Sequence, residues 1–213
     1  MLDIDAILIQ LAKHRLVFHS EADLQHAFAW EIHKHLGENA SIQLEVPMPR
    51  GGEHGEKERL HLDIVVQDTW AIELKYNTIP MKNPVKGFDL RDHSAHDVGR
   101  YDFLKDIERL EGFIGEGRGE VTGTSWESRS GYAIMLTNDK HYWEEAKRRD
   151  TQDAAFRIHC GRTVEGTLEW ADKRKYRGKL NTRIRLNSKY ALSWKDYPGT
   201  EFKYLAVAVP PPS

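Results

Sequence analysis

The chain has 213 residues, which is enough for one domain with a sizeable core, or for a core with an added segment. Its hydrophobic fraction of 39% and charged fraction of 30% are typical of a globular protein and exclude a disordered or fibrous chain. The formal net charge of −2 excludes a global positive field of the kind that drives tight, sequence-independent binding to nucleic acid.

The cysteine content and the length of the apolar segments indicate the cellular compartment of the protein. Cys160 is the single cysteine, which excludes a disulfide framework and a cysteine-based zinc site and favours a reducing environment. The first ten residues carry acids and lack the basic segment of a signal peptide. No apolar run reaches the roughly 18 residues that a membrane-spanning helix needs. We therefore expect a cytoplasmic protein with no membrane partner.

Two helices are predicted at the start of the chain. Residues 3–13 have apolar side chains at helical spacing. A clearer helix begins after Ser20, a good N-cap, with Asp23 three residues later in a capping-box arrangement. This second helix is predicted to run to about Leu36, because Gly37 follows it.

Three strands are predicted next. The first covers residues 41–46, and the next two, residues 59–66 and 70–76, form a hairpin with its turn near Asp68. Apolar and polar side chains alternate along the hairpin. One face is predicted to carry Leu60, Leu62, Ile64, Val66, Trp70, Ile72 and Leu74, and the opposite face His61, Asp63, Glu73 and Lys75.

The register of this hairpin brings two carboxylates together. A turn centred on Asp68 places Asp63 across from Glu73, and His61 across from Lys75. Opposed carboxylates repel each other on a bare sheet, whereas a Mg²⁺ ion between them makes the arrangement favourable, because Mg²⁺ binds oxygen ligands. A solvated, charged face of a hairpin is the alternative interpretation.

An Asp on one strand, followed by Glu73, Leu74 and Lys75 on the next, resembles the PD-(D/E)xK nuclease superfamily, which has the restriction-endonuclease-like fold. The usual proline before the Asp is replaced by Leu62. The resemblance implies that Asp63, Glu73 and the Leu74 carbonyl hold Mg²⁺, for which Mn²⁺ can substitute. It also implies that Lys75 orients or deprotonates the attacking water.

Proteins of this family often supply a further metal-ligating Glu from the first core helix. Glu21 is the preferred candidate, since it lies beside the apolar stripe of that helix, and Glu31 is the second. An acid that interacts with the positive end of the helix dipole explains Glu21 equally well.

The segments after the hairpin continue the core order that the resemblance implies. Residues 77–92 form a loop in which Lys82, Lys86 and Arg91 either hold a backbone phosphate or are ordinary solvated charges. A helix capped by Ser94 and reaching Ile114 follows, with Arg100 and Lys105 predicted as solvated charges, and then a buried strand over 131–137. Helix, three strands, helix and strand predict a three-layer α-β-α core with a mixed sheet over residues 15–140.

Residues 141–213 are predicted as a β-rich C-terminal extension of the same single domain, 1–213. It contains a short helix over 142–149 and strands over 166–170, 182–186, 190–194 and 202–209. A basic cluster lies between the first two strands, with Trp170, Tyr176 and Trp194 among or near Lys173, Arg174, Lys175 and Arg177. This composition indicates either a surface that binds a nucleic acid strand or a charged hairpin whose aromatic side chains lie in the core.

The histidines give a weaker signal. His93 and His96 could share a helix face, but the sequence shows no third ligand, so zinc is not expected. His61 lies on the face of the carboxylates and is the histidine of most interest, although a neutral polar role explains it.

The sequence therefore predicts an α/β, Mg²⁺-dependent nuclease that hydrolyses phosphodiester bonds of nucleic acid, DNA in preference to RNA. The alternative is a catalytically weak or inactive nucleic-acid-binding module of the same fold, within a defence or repair assembly. A small-molecule enzyme with an acidic metal site has no positive motif. The resemblance also implies pairing as a homodimer.

Overall fold

The computed structural model describes residues 2–47, 61–82, 85–115, 130–172 and 183–211. Over these residues the chain is mixed α/β, with three α-helices, a six-stranded mixed sheet and a separate two-stranded sheet. The helices are α1 (Ile4–Ala12), α2 (Glu21–Leu36) and α3 (His96–Gly115). The strands are β1 (Ile42–Pro47), β2 (His61–Val66), β3 (Trp70–Asn77), β4 (Ser130–Thr137), β5 (Thr163–Leu168), β6 (Ile184–Ala191), β7 (Trp194–Asp196) and β8 (Lys203–Val209).

The capping residues of α2 confirm the predicted start and end of this helix. The Ser20 Oγ accepts a hydrogen bond from the Asp23 N–H at 3.2 Å, and an Asp23 carboxylate oxygen accepts one from the His19 N–H at 2.9 Å. Gly37 ends the helix with φ of +93°, a left-handed conformation that glycine adopts without steric cost. The N-terminus of α2 lies next to the sheet, because the Glu21 carboxylate accepts a hydrogen bond from the Tyr76 N–H of β3 at 2.9 Å.

The six-stranded sheet has the order β1-β2-β3-β4-β8-β7. β3 and β4 are parallel and α3 connects them, whereas all other neighbouring strands in this sheet are antiparallel. The β3–β4 register runs without interruption from Trp70 opposite Ser130 to Asn77 opposite Thr137. Glu73 and Lys75 therefore lie on a central strand of the sheet.

Helices cover both faces of this sheet. One core contains the apolar side chains of α1 and α2 with Ile72 and Leu74 of β3. The other core contains the apolar side chains of α3 with Ala71 of β3 and Met135 of β4. Successive residues of β3 thus face opposite layers, as the period of a strand requires. The predicted facing of Ile72 and Leu74 is confirmed.

The predicted single apolar face of β2 is wrong at Leu62. Ile64 and Val66 pack in the core beside α1 and α2, but Leu62 packs in the core beside α3. The β1–β2 register skips Glu45 and Asp63, and Glu45 has a left-handed φ of +53°. This irregularity breaks the two-residue alternation at the residue next to Leu62. Arg59 and Leu60 lie outside the described residues.

The C-terminal strands differ from the predicted extension. β8 pairs with β4 and β7 pairs with β8, so both strands enlarge the main sheet. β5 and β6 form the two-stranded sheet, which packs against α3: the Glu111 carboxylate accepts hydrogen bonds from the Asn187 and Ser188 N–H groups, both at 2.8 Å. The strands predicted at 182–186 and 190–194 are largely the single strand β6.

The helix predicted over residues 142–149 is absent, and the chain forms a turn at residues 140–143 instead. Tyr142 explains the turn, because its ring is buried and its hydroxyl lies 2.9 Å from the Asn77 amide nitrogen, at the end of β3. Burial of this ring against the sheet outweighs the local helical pattern.

Candidate active site

In the β2–β3 hairpin, a side-chain contact with β3 holds Asp63 in place. The register predicted from Asp68 is confirmed at its three backbone pairs, Ile64–Ile72, Val65–Ala71 and Val66–Trp70. The ladder ends there, and an Asp63 carboxylate oxygen accepts a hydrogen bond from the Leu74 N–H at 2.6 Å. The Gln25 side chain of α2 donates to the Asp63 carbonyl at 2.6 Å. Asp63 therefore occupies the gap that opens between the strands.

Glu73 and Lys75 point from β3 toward α3, where they meet two charged residues of that helix. The Lys75 Nζ lies 3.1 Å from an Asp106 carboxylate oxygen. The Arg109 guanidinium lies 3.0 Å from the Glu73 carboxylate and 2.6 Å from Asp106. The side chains of Glu73 and Asp106 are 1% and 4% exposed, so these ion pairs are deeply buried.

Asp106 and Arg109 were not among the predicted residues. The signal that could have found Asp106 is its position within the apolar side of α3, between Phe103 and Ile107, both of which are buried. An acid on the buried side of the crossover helix is placed toward the strand that the helix covers.

Glu21 reaches the same cluster from the first turn of α2. One carboxylate oxygen accepts a hydrogen bond from the Tyr76 N–H at 2.9 Å, and the other lies 3.9 Å from the Lys75 Nζ. Glu31 pairs with Lys34 at 2.6 Å, nearer the other end of α2. Of the two predicted helix glutamates, the structure brings Glu21 to the cluster.

Burial and mutual repulsion perturb the acids of this cluster. Burial raises the pKa of Asp63 to about 6, although the Leu74 N–H and the Lys75 charge oppose the increase. Burial and the Asp106 charge raise the pKa of Glu73 well above its ordinary value. Burial lowers the pKa of Lys75, but the surrounding carboxylates, Asp106 first, raise it further, so the net shift is upward.

The cluster has an excess of negative charge. Among the described residues, its cations are Lys75 and Arg109, and the carboxylates in its ion pairs and hydrogen bonds are Glu21, Asp63, Glu73 and Asp106. The Asp102 carboxylate adds a further negative charge that interacts with Asp106, Lys75 and Arg109. Within the described parts of the chain, one buried oxygen each of Glu73 and Asp106 has an ion pair but no hydrogen bond of ordinary geometry. The excess of carboxylates over cations fits one divalent cation such as Mg²⁺, which prefers carboxylate and carbonyl oxygens and would compete with Lys75 and Arg109 for them.

A cavity of about 420 Å³ opens beside the N-terminus of α2. Glu21 and Arg91 both line it, so one predicted nucleic-acid contact shares a cavity with the acidic cluster. Lys82 and Lys86 are exposed on the same loop. The other residues around the cavity are His19, Ser20, Tyr76, Asn77, Thr78, Leu90 and His93.

The structure describes only some of the residues predicted to contact nucleic acid in the C-terminal part of the chain. Lys173, Arg174, Lys175 and Arg177 lie outside the described residues, as does Tyr176. Trp170 and Trp194 are buried in the core beside α3, so they serve packing rather than base stacking. His61 is exposed at the start of β2.

A second, basic cavity of about 300 Å³ lies in the irregular segment after β4. Arg162 donates hydrogen bonds to the Ala154 and Ala155 carbonyls at 2.8 and 2.9 Å, and burial together with the Arg157 charge lowers its pKa. The charged and titratable lining residues are Glu145, Arg148, Arg149, Arg157, His159 and Arg162. The sequence did not predict this cavity, because its arginines show no regular spacing.

Arg100 of α3 is buried rather than solvated as predicted. Its side chain is 5% exposed, pairs with Asp153 and donates a hydrogen bond to the His141 carbonyl at 2.9 Å. Arg100 thus ties the start of α3 to the segment that follows β4. Lys105 pairs with Glu108 at the helix surface.

Comparison of the chain with models of known protein families, with curated proteins and with solved structures finds no match. Within the described part of the chain, no helix is both long enough and apolar enough to span a membrane.

Proposed function

We propose that this chain is a Mg²⁺-dependent nuclease with a restriction-endonuclease-like core, acting on phosphodiester bonds of nucleic acid, with DNA as the preferred substrate. The observation that carries the proposal is the cluster around Lys75, in which carboxylates outnumber cations. A stable fold gains nothing from this excess, whereas a cation site requires it. The order of helix, three strands, crossover helix and parallel strand supports the same conclusion.

Four groups of this chain would hold the metal. Asp63 and Glu73 would supply carboxylate oxygens, the Leu74 backbone would supply its carbonyl, and Glu21 would contribute from α2. Mn²⁺ would substitute for Mg²⁺, since both accept oxygen ligands. The bound ion would lower the pKa of a coordinated water and stabilise negative charge on the phosphate.

Lys75 would orient the attacking water and place positive charge near the scissile phosphate. Asp106 holds the Lys75 ammonium at 3.1 Å, which restricts the long side chain to the site. Arg91, at the rim of the adjacent cavity, would hold a neighbouring backbone phosphate. The basic cavity lined by Arg157 and Arg162 would bind a further phosphate of a longer substrate.

A binding module without catalysis is the second candidate, and Arg109 favours it. The Arg109 guanidinium, 3.0 Å from the Glu73 carboxylate, already neutralises one of the acids that a metal would use. In this second candidate, Arg109 takes the place of the cation, and the protein binds nucleic acid without cleaving it.

The test is a cleavage assay on linear, circular and single-stranded DNA and on RNA, with Mg²⁺, Mn²⁺ or EDTA. Lys75→Ala is compared with Lys13→Ala, a control on the exposed surface at the end of α1. Metal-dependent cleavage that Lys75→Ala abolishes and Lys13→Ala retains supports the nuclease. Tight binding with no cleavage in any metal supports the binding module. Preferential cleavage of RNA would show that RNA, and not DNA, is the preferred substrate.

The homodimer is tested separately, by light scattering of the purified chain with and without DNA. A mass of two chains in either condition supports it. A monomer in both conditions contradicts it and restricts the proposal to a monomeric nuclease.

A further inference from the structure

Three potential metal ligands converge at the start of α3, away from the acidic cluster. His96 is the first residue of α3, and Asp139 and His141 follow β4. His96 Nε2 contacts one Asp139 carboxylate oxygen, and His141 Nδ1 lies 2.7 Å from the other. One ligand atom of each residue lies within 4.8 Å of the other two. We propose that His96, Asp139 and His141 bind a divalent transition-metal ion, with Zn²⁺ as the preferred ion.

The topology places this group where an α/β sheet offers a binding site. β3 and β4 are parallel neighbours, α3 is the crossover between them, and β4 ends at Thr137. Asp139 and His141 therefore lie just beyond the carboxyl end of a parallel strand, facing the first residue of the crossover helix. Ligands of open α/β sheets bind at this edge.

The surrounding contacts fix the carboxylate. The Asp139 side chain is 1% exposed, and one of its oxygens accepts a hydrogen bond from the His141 N–H at 3.0 Å. The Asp139 N–H donates to the Thr137 hydroxyl at 3.0 Å. A rigid carboxylate between two imidazoles is a preorganised ligand, so little ordering entropy is lost when an ion binds.

The imidazoles leave one side of the group open. The His96 and His141 side chains are 25% and 62% exposed, and their ring centroids are 4.7 Å apart. Two imidazole nitrogens and one carboxylate oxygen are a common ligand set for zinc and other divalent transition metals, with remaining positions filled by water. Ligand atoms with bonds of about 2.0–2.2 Å to a shared ion lie roughly 3.0–3.5 Å apart, so both imidazoles would move back from the Asp139 carboxylate to admit the ion.

The ion would bind at a site distinct from the acidic cluster. Ten residues of α3 separate His96 from Asp106, which is about 15 Å along a helix that rises 1.5 Å per residue. The two sites also differ in chemistry, because nitrogen ligands favour Zn²⁺ and carboxylate oxygens favour Mg²⁺. This proposal does not depend on nuclease activity.

The competing explanation is a hydrogen-bonded network in which the two imidazoles satisfy a buried carboxylate. This network requires no ion. The two explanations differ in a direct measurement of metal binding, since only the metal site predicts that each histidine contributes to affinity.

The experiment is calorimetric titration of the full chain with Zn²⁺, after chelator treatment and in excess Mg²⁺, so that the carboxylate site is saturated. We expect one strong site per chain. His96→Ala and His141→Ala should each weaken it by at least about tenfold, because one of three ligands is lost. Asp63→Asn should leave Zn²⁺ affinity unchanged.

The matched control is His93→Ala. His93 lies three residues before His96, and its ring contacts Thr78 rather than Asp139. His141→Ala should lower the melting temperature somewhat without zinc, because the buried Asp139 carboxylate loses one hydrogen-bond partner. Zn²⁺ should raise the melting temperature of the wild type and not that of His141→Ala. No strong site, or equal loss of affinity in His93→Ala and His141→Ala, would overturn the proposal.

Discussion

At Asp63 the ladder between β2 and β3 is replaced by a side-chain contact to the Leu74 N–H. This contact fixes the carboxylate in a partly buried position near Lys75 and Glu73, where desolvation raises its pKa to about 6. An ionised Asp63 therefore costs free energy in the folded state at neutral pH, unless a cation compensates it. Such a local conflict between stability and electrostatics is typical of functional positions.

Asp63→Asn is expected to stabilise the protein in EDTA at pH 8. The asparagine side-chain oxygen can still accept the Leu74 hydrogen bond, while the repelled negative charge is removed. We expect a gain of about 1–2 kcal/mol in the free energy of unfolding, measured with urea. Asp68→Asn, in the turn of the same hairpin, is the control and should change the free energy little. Destabilisation by Asp63→Asn would show that the carboxylate serves the fold.

The pKa of Asp23 is shifted in the opposite direction to that of Asp63. Partial burial raises the pKa of Asp23, but the His19 N–H and the hydrogen bonds and charge of Arg15 lower it further, so the net shift is downward. A lowered pKa in the folded state stabilises the protein above the unfolded pKa, and this stabilisation is lost as the pH falls through the folded value.

Asp23→Asn is therefore expected to cost about 0.5–1 kcal/mol at pH 7, a value that allows for the partial exposure of both partners. The difference from the wild type should shrink as the pH falls below about 3.8, the value for an unperturbed Asp. Urea unfolding of the wild type and Asp23→Asn at pH 7 and pH 3 measures the free-energy difference at each pH. A difference that grows toward low pH would contradict the assignment.

At the scale of elements, α3 contributes to both candidate sites, because it carries Asp106 and Arg109 of the acidic cluster and His96 of the separate histidine group. Its position depends on close packing at Gly99, where an added Cβ would lie 2.3 Å from the Tyr142 hydroxyl oxygen and 2.7 Å from the Asn77 amide nitrogen. At Gly112, on the same helix, such a Cβ would meet no atom of the described residues within 4 Å, apart from the helix's own backbone and the two neighbouring residues.

Gly99→Ala and Gly112→Ala form a matched pair. Alanine favours a helix over glycine by about 1 kcal/mol, so Gly112→Ala should stabilise the protein by roughly 0.5–1 kcal/mol. At Gly99 the clash should outweigh this gain, with a net loss of about 1–3 kcal/mol. Thermal or urea unfolding compares the two. Equal stabilisation by both would show that α3 does not pack closely on the end of β3.

The helices and the hairpin were predictable because their signals are local. Ser20 and Gly37 mark the ends of α2 by their chemistry, and the hairpin register follows from its turn. The turn at Tyr142 and the burial of Arg100 were not predictable, since both depend on partners distant in sequence, Asn77 and Asp153. Local patterns carry no information about such partners.

At the scale of the whole molecule, the site is assembled from segments that only the tertiary fold brings together. The sequence indicated Asp63, Glu73 and Lys75, because strand alternation and the resemblance both single them out. It indicated Glu21 through the resemblance and through its place beside the apolar stripe of α2. It did not indicate Asp106 or Arg109, whose roles depend on how α3 lies across β3. The His96, Asp139 and His141 group likewise requires the meeting of α3 with the segment after β4.

Metal binding should be visible in the stability of the whole chain. If Mg²⁺ binds the folded state alone, a concentration 100-fold above its dissociation constant stabilises the protein by about 2.7 kcal/mol. We expect Mg²⁺ to raise the melting temperature of the wild type and of Asp68→Asn, but to raise that of Asp63→Asn much less. Equal increases in all three proteins would indicate that the ion binds elsewhere.

The most direct test of the central claim is the cleavage rate of one duplex DNA at saturating protein, for the wild type and Asp63→Asn in Mg²⁺. We expect cleavage by the wild type that EDTA abolishes, and a rate at least about 100-fold lower for Asp63→Asn, in a protein that remains folded. Cleavage at the wild-type rate by Asp63→Asn would contradict the proposed role of the acidic cluster. DNA binding with no cleavage by the wild type in Mg²⁺ or Mn²⁺ would contradict the nuclease itself.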